Sequence, residues 1–212
     1  MSAHLVLIDA LNLIRRIYAV QARPFLMNNE VAENTQQQVL NNTLQACQQA
    51  LSKIISIHSP THALAVFDSE QPCWRYDLYP DYKKGRQKMP EHLENKLADI
   101  QDSFMVLGVD SLIPEQDEAD DVIATLAMQA LYDGVDVDIL SGDKDLMQLI
   151  TPPGIEPSVH MIDPMHFDRV NHDDVVKKWG VSSDKLGDVL ALARDAACQP
   201  PGAPGSGPKI AA

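Results

Sequence analysis

The chain has 212 residues, with 17 lysines and arginines against 30 aspartates and glutamates, and a formal net charge of -13. A content of 45% hydrophobic and 22% charged residues is typical of a globular protein and excludes disordered, collagen-like and coiled-coil chains. The sequence lacks the apolar run of a membrane-spanning helix and the pattern of a signal peptide, and its three cysteines lie far apart. We therefore expect a cytoplasmic protein with no membrane partner and no disulfide framework.

Short apolar segments alternate with amphipathic segments along the chain. The predicted strands span residues 4–8, 63–67, 109–113 and 135–140. The predicted helices, with apolar residues three or four apart, span residues 10–19, 40–55, 93–107 and 122–130. Gly108 and Gly134 stand where helices usually end. Segment 21–37 is predicted to be an exposed loop, and short helices are expected from about residue 173. This alternation predicts an α/β fold with a largely parallel central sheet flanked by helices.

Carboxylates follow three of the predicted strands. Asp9 ends the first strand, Asp68 ends the second, and Asp143 follows the fourth after a Ser-Gly pair. Because ligands bind outside the carboxyl ends of strands in open α/β sheets, we expect these acids to converge. Further acids stand in an E-A-D-D motif and beside Asp143: Glu118, Asp120, Asp121 and Asp145. This density of oxygen ligands predicts Mg²⁺ or Mn²⁺, and paired ions of this kind are a common arrangement for phosphodiester cleavage.

Each of these acids, taken singly, has a simpler interpretation. Aspartate is a frequent N-cap, so Asp117, Asp120 or Asp143 could serve only to cap a helix, and Asp68 could be a turn residue. The coincidence of strand-end positions with two acid-rich motifs favours the metal-binding interpretation.

A basic, aromatic segment interrupts the acidic chain at residues 74–88. It carries five cations against two acids, a local charge of +3, and four of the eleven aromatic residues. Cations for phosphates, interleaved with rings for bases, are typical of proteins that bind single-stranded nucleic acid. The alternative is a solvated surface whose aromatic residues are anchored on the core.

Taken together, the motifs resemble those of the bacterial 5′-nuclease family, which includes the N-terminal nuclease domain of DNA polymerase I. The motifs that carry the resemblance follow the family's order: L-I-D-A-L-N-L (7–13), V-F-D (66–68), Y-K-K-G-R (82–86), E-A-D-D (118–121), S-G-D-K-D-L-M-Q-L (141–149) and P-G-A-P-G-S-G-P-K (201–209). The opening D-A-L-N-L-I-R-R (9–16) is similar to the small stand-alone flap endonucleases of the exonuclease IX type.

The resemblance implies a nuclease core of the resolvase-like or PIN-like kind over residues 1–165, with a helical arch segment at about 74–92. It implies two Mg²⁺ ions, replaceable by Mn²⁺, held by metal ligands at Asp9, Asp68, Glu118, Asp120, Asp121, Asp143, Asp145 and Asp195. It also implies catalytic roles in the arch segment for Tyr82, Lys83 and Arg86.

For residues 166–212, the resemblance implies a helix–three-turn–helix DNA-binding module with a hairpin at 201–210. A K⁺ would be held by main-chain carbonyls of Leu192, Ala193, Pro201, Ala203 and Ser206. Duplex DNA would contact Gly205, Ser206, Gly207, Pro208, Lys209 and Ile210. The chain departs from the family at Cys198, where a metal-binding aspartate is usual, so the second metal site is in question. The chain also stops just past the hairpin, which leaves open a truncated module.

The sequence therefore predicts a monomeric, Mg²⁺-dependent nuclease that cuts the 5′ flaps of branched DNA. One alternative is a PIN-like ribonuclease, against which the hairpin at 201–210 argues. Another is a non-catalytic DNA-junction binder that has lost a metal, which Cys198 favours and the intact set of other acids opposes. A haloacid-dehalogenase-like phosphatase would need an aspartate where Leu11 stands.

Overall fold

The computed structural model describes residues 3–27, 30–69, 71–85 and 87–193. The strands are β1 (His4–Asp9), β2 (Leu26–Met27), β3 (Glu30–Val31), β4 (His62–Val66), β5 (Asp110–Leu112), β6 (Asp136–Leu140), β7 (Val159–Ile162) and β8 (Arg169–Val170). The helices are α1 (Ala10–Ala22), α2 (Glu33–His58), α3 (Arg75–Leu78), α4 (Glu91–Glu94), α5 (Leu97–Val106), α6 (Ala119–Tyr132), α7 (His172–Trp179) and α8 (Ser183–Leu192). Short 3₁₀ helices lie at Arg23–Phe25 and Asp145–Leu149.

Six strands form one sheet in the order β5-β4-β1-β6-β7-β8. Neighbouring strands are parallel, except that β8 runs antiparallel to β7. From the central strand β1, the chain builds β4 and β5 on one side and then β6 and β7 on the other. The predicted α/β class with a largely parallel sheet is confirmed. The strand order reverses beside β1, and ligands bind at such a point in open α/β sheets.

Helices cover both faces of this sheet. Helices α1, α2 and α5 pack on one face around residues such as Ile8 and Leu51. Helices α6, α7 and α8 pack on the other face around residues such as Leu7 and Leu186. Because both faces are buried, β1 is a nearly continuous apolar run without polar alternation. No helix in the described ranges combines the length and the apolar character needed to cross a membrane.

A charged residue is buried in the middle of the sheet, away from its carboxyl edge. Asp138 lies in the middle of β6, and its side chain is 1% exposed. Its Oδ2 atom lies 2.9 Å from His4 Nε2, 3.6 Å from His58 Nδ1 and 2.7 Å from Arg169 Nη2. His160 Nδ1 lies 4.0 Å from the other carboxylate oxygen. We call these five residues the Asp138 cluster; strands β1, β6, β7 and β8 and the end of α2 all contribute to it.

Two predicted elements differ from the structure on the α2 side. Segment 21–37, predicted to be an exposed loop, contains the end of α1, the β2–β3 hairpin and the start of α2. Ala22 and Val31 are buried there in a small separate core that the polar composition conceals. The single helix predicted over 93–107 is divided into α4 and α5. A turn separates them, in which the Lys96 N–H donates to the Leu93 carbonyl, three residues back.

Strands β7 and β8 are missed by the sequence prediction. Proline and glycine residues at 152–154 precede β7, which is only four residues long and carries no alternation. The helices expected from about residue 173 are confirmed as α7 and α8. The domain boundary after residue 165 stays a prediction, and β8, which pairs with β7, lies beyond it. The predicted hairpin 201–210 falls outside the described residues.

Candidate active site

Four carboxylates meet at the carboxyl edge of the sheet. Asp9 ends β1, Asp68 follows β4, Asp143 follows β6, and Asp120 lies in the first turn of α6. Together with Lys83, they line a cavity of about 300 Å³. We call this cavity, defined by the four aspartates, the carboxylate crevice. The convergence expected from the strand ends is therefore present in the fold.

Burial and repulsion raise the pKa of two carboxyl groups in the crevice. Burial, together with the nearby charges of Asp9, Asp143 and Asp68, raises the pKa of Asp120 to about 8. Burial likewise raises the pKa of Asp9 to about 6, although hydrogen bonds from Ser141 and Asn12 act in the opposite direction. An oxygen-only set of mutually repelling carboxyl groups fits a divalent cation, which would favour the ionised form of each of them.

Main-chain and hydroxyl donors hold the crevice aspartates in place. Asp9 caps α1: its Oδ1 accepts from the Asn12 N–H at 3.2 Å, and its Oδ2 accepts from the Ser141 hydroxyl at 2.7 Å. Asp68 Oδ1 accepts from the Ala119 N–H at 3.0 Å, at the start of α6. Asp9 is therefore an N-cap that was not predicted from the sequence, and this role is compatible with metal binding, because the cap also orients the carboxylate at the edge of the sheet.

Glu118 and Asp121 are engaged by the arch segment and are not among the crevice-lining residues. Lys83 Nζ and Tyr82 Oη donate to the two carboxylate oxygens of Glu118 at 2.7 and 2.9 Å. Arg75 donates twice to Asp121, at 2.5 and 2.7 Å. Burial opposes ionisation of Glu118, yet the Lys83 and Tyr82 contacts lower its pKa overall. The metal-ligand roles of Glu118 and Asp121 stay predictions.

The remaining predicted site residues lie elsewhere or outside the described residues. Asp145 pairs with Lys144 at 3.1 Å at the start of a 3₁₀ helix. Leu192 ends α8, and Ala193 follows it. The undescribed positions are Arg86, Asp195, Cys198, Pro201, Ala203, Gly205, Ser206, Gly207, Pro208, Lys209 and Ile210. Among the residues that the structure describes, no group of three or more His, Cys, Asp or Glu side chains is already arranged to hold a metal ion.

Three polar side chains of α1 also line the crevice, and none of them was predicted as a site residue from the sequence: Asn12, Arg15 and Arg16. Arg16 donates to Asn12 Oδ1 at 2.9 Å and to the Gly142 carbonyl at 3.2 Å. Gly142 allows this close approach, because a Cβ atom there would lie 2.3 Å from the Arg16 guanidinium in its present position. The available signal was helical spacing, since Asn12 and Arg16 stand four residues apart just after Asp9.

This geometry agrees with comparisons with known proteins. The family described as "5′-3′ exonuclease, N-terminal resolvase-like domain" matches residues 4–180. The chain belongs to this 5′–3′ exonuclease family. A flap endonuclease Xni of Colwellia psychrerythraea is 51% identical over 200 residues, which are 92% of this chain and 67% of that protein. A flap endonuclease Xni of Photobacterium profundum is 40% identical over 213 residues, covering 100% of this chain and 76% of that protein.

Solved structures share the fold of this 5′–3′ exonuclease family member at low sequence identity. The T5 D15 protein co-crystallised with metal ions has a TM-score of 0.71 and 18% identity, covering 98% of this chain and 72% of that chain. The catalytic core of Rad2 in complex with DNA has a TM-score of 0.56 and 14% identity, covering 99% of this chain and 59% of that chain. The predicted bacterial 5′-nuclease family and the resolvase-like core are therefore confirmed.

Proposed function

We propose that this 5′–3′ exonuclease family member is a structure-selective flap endonuclease, which hydrolyses phosphodiester bonds at the 5′ flaps of branched DNA. The observation that carries the proposal is the carboxylate crevice, with four aspartates at the strand-order reversal and Lys83 on its wall. Relatives named flap endonuclease align with 92% and 100% of the chain, which supports the same activity here.

A divalent metal ion is the cofactor that suits this site, and we propose Mg²⁺, with Mn²⁺ as a substitute. Asp9, Asp68, Asp120 and Asp143 would hold it, because their oxygens are hard ligands. The pKa values of Asp9 and Asp120 are raised by burial and by the neighbouring carboxylates, and a bound cation would offset that repulsion. A divalent ion bound there supplies Lewis acidity for the hydrolysis of a phosphodiester. T5 D15 structures with metal ions support this assignment.

Lys83 is the residue that we propose meets the reacting phosphate. Its ammonium group lies on the wall of the crevice and 2.7 Å from Glu118. A fixed cation at this position would stabilise the negative charge that grows on the phosphate oxygens. Tyr82 supports this placement, because it holds the other oxygen of Glu118 and its ring lies 5.3 Å from Lys83 Nζ. We propose the same role for Arg86.

Positive charge near the crevice would guide the DNA backbone to it. The chain carries a net charge of -13, so DNA contact depends on local clusters of cations. Arg15 and Arg16 line the crevice from α1 and form such a cluster with Lys83.

We propose that the hairpin at 201–210, with its K⁺, binds the adjoining duplex. We also propose that a second metal ion would use Asp145 and Asp195. We also propose that the protein acts as a monomer and that it acts in the cytoplasm.

A cleavage assay with matched substrates tests the proposal. The protein is incubated with an end-labelled 5′-flap duplex, a blunt duplex of the same sequence and a single-stranded RNA, in Mg²⁺ and in EDTA. We expect cleavage at the base of the flap in Mg²⁺, slower cleavage of the blunt duplex, and none in EDTA. Tight binding of the flap without cleavage would instead identify a junction binder, and preferential cleavage of the RNA would identify a PIN-like ribonuclease.

A further inference from the structure

We propose that Arg75 is a positioning residue, whose paired hydrogen bonds to Asp121 fix the arch segment to α6 and thereby place Lys83 at the carboxylate crevice. The inference rests on the proposed function, because Lys83 is the residue assigned to the reacting phosphate. Arg75 itself is not among the residues that line the crevice, so it acts through other side chains.

The Arg75–Asp121 contact has the geometry of a strong ion pair. Nη1 donates to Oδ2 at 2.5 Å, and Nη2 donates to Oδ1 at 2.7 Å, with the two side chains 27% and 33% exposed. A planar guanidinium matches both oxygens of a carboxylate at once, whereas an ammonium offers only a point charge. The Trp74 ring lies 4.5 Å from the guanidinium carbon, and Glu118 provides a second acid at 3.7 Å. Three side chains, one from the arch segment and two from the start of α6, therefore contact the Arg75 guanidinium.

Short contacts lead from Arg75 to Lys83. Arg75 begins the single turn of α3, where its carbonyl accepts from the Tyr79 N–H at 2.8 Å. The Tyr79 carbonyl in turn accepts from the Tyr82 N–H, also at 2.8 Å. The Tyr76 ring meets the Tyr82 ring edge-on at 5.5 Å. Movement of α3 would therefore displace Tyr82 and the residue that follows it.

The backbone of Lys83 is the part of the segment that most needs such support. Lys83 has φ +52°, in the left-handed region that residues other than glycine rarely adopt. A strained conformation of this kind persists only where surrounding contacts impose it. With the Arg75–Asp121 pair broken, we expect the turn at Lys83 to relax and its ammonium group to leave the crevice wall.

The pair also links the two elements that build the site. Asp121 lies in the first turn of α6, directly after the crevice ligand Asp120 and three residues after Glu118. Its Oδ2 also accepts from the Glu118 N–H at 3.4 Å, which ties the carboxylate to the start of the helix. Arg75 therefore holds the arch segment to the same helical turn that presents Asp120 to the crevice.

The test compares Arg75→Gln and Arg75→Lys with a matched control, Lys84→Gln. Lys84 is an exposed cation of the same segment that pairs with Asp81, so its loss removes the same charge without touching α6. Single-turnover cleavage of a 5′-flap duplex in Mg²⁺ and the dissociation constant for that DNA in EDTA are measured for each variant. For Arg75→Gln we expect a rate loss on the order of a hundredfold, a change in dissociation constant below about threefold, and partial recovery in Arg75→Lys.

Amide hydrogen exchange of the metal-free protein provides a second readout that does not depend on activity. Arg75→Gln and Asp121→Asn should each accelerate exchange at the amides of Tyr79 and Tyr82, and the double variant should be no faster than either single one. Wild-type exchange in Arg75→Gln, a wild-type cleavage rate, or an affinity loss as large as the rate loss would each overturn the proposal. If the unchanged protein does not cut flap DNA, the proposed function fails, and the exchange comparison still decides whether Arg75 positions the segment.

Discussion

The protein buries aspartates in two places that differ in what faces them. In the carboxylate crevice, Asp120 faces three other aspartates, and its pKa rises to about 8. In the Asp138 cluster, an acid that is buried more deeply than Asp120 faces an arginine and three histidines. Burial of an acid therefore does not by itself identify a site. The crevice leaves negative charge for a ligand to neutralise, whereas the Asp138 cluster neutralises its own charge and joins strands together.

The largest effect that would test this difference is expected from Asp120→Asn. We expect Mg²⁺-dependent cleavage of flap DNA to fall on the order of 1,000-fold or more, because a proposed metal ligand is lost from the crevice. The metal-free variant should also melt a few degrees higher, since one desolvated and repelled carboxyl group is gone. Asp117→Asn, an exposed neighbour outside the crevice, is the control for both assays. A wild-type cleavage rate in Asp120→Asn would remove this residue from the site.

Asp138→Asn should do the reverse of Asp120→Asn: it should lower stability and leave the Mg²⁺ dependence of cleavage unchanged. Removing the charge leaves Arg169 and the neighbouring histidines without their common partner, so unfolding should require about 3 kcal/mol less free energy. The Mg²⁺ concentration that gives half-maximal cleavage should stay unchanged, because the cluster lies away from the crevice. Urea unfolding and a Mg²⁺ titration measure the two quantities, with the exposed Asp110→Asn as control. Equal stability of Asp138→Asn and the wild type would contradict the proposed balance of charges.

A third expectation concerns the stability of the metal-free protein as a function of pH. Burial raises the folded-state pKa of Asp9 to about 6 and that of Asp120 to about 8, above the unfolded value of about 4. Between about pH 4 and 8 the folded protein therefore binds more protons than the unfolded chain, and its stability falls as the pH rises. Glu118 and Asp121, whose pKa values are lowered, are ionised in both the folded and the unfolded state above about pH 5. They therefore do not contribute to the pH dependence of stability in that range.

Thermal unfolding in EDTA from about pH 5 to 8 measures this slope. We expect the midpoint to fall by several degrees in the wild type and by much less in Asp120→Asn. Mg²⁺ should flatten the profile of the wild type, because a bound ion stabilises the ionised carboxylates. Equal slopes in the two proteins would show that the crevice does not control the pH response.

The smallest effect is expected from Gly142→Ala. The added methyl group would overlap the Arg16 guanidinium, which is the flexible end of a side chain and can move aside. We therefore expect a stability change within about 1 kcal/mol and a severalfold weaker affinity for flap DNA, matching Arg16→Ala. Affinity measured in EDTA for both variants checks this. If Gly142→Ala binds DNA like the wild type while Arg16→Ala does not, the displaced Arg16 guanidinium contacts DNA as well as it does from its present position.

The two regions also show which features a sequence can predict. Asp9, Asp68 and Asp143 were predictable as neighbours, because each follows a recognisable strand and parallel strands end at one edge. The Arg75–Asp121 contact was not predictable, because the segment around Arg75 has no regular spacing of apolar residues from which the direction of its side chains could be inferred. The Asp138 cluster was equally hidden, since His160 and Arg169 lie on β7 and β8, which the sequence did not predict. A residue could be placed where it follows a recognisable strand end, however far apart the partners lie along the chain, and could not be placed elsewhere.

The two edges of the central sheet bear on how this protein behaves at high concentration. One edge is β5, with three residues, and the other is β8, with two residues that run antiparallel to the rest. Each edge carries an exposed charged residue, Asp110 on β5 and Arg169 on β8. Strands this short leave few unpaired backbone groups, and charges on them discourage a second chain from adding to the sheet. The longer strands of the central sheet are enclosed between neighbours, so in the part of the chain that the structure describes, this sheet is protected against edge-to-edge self-association.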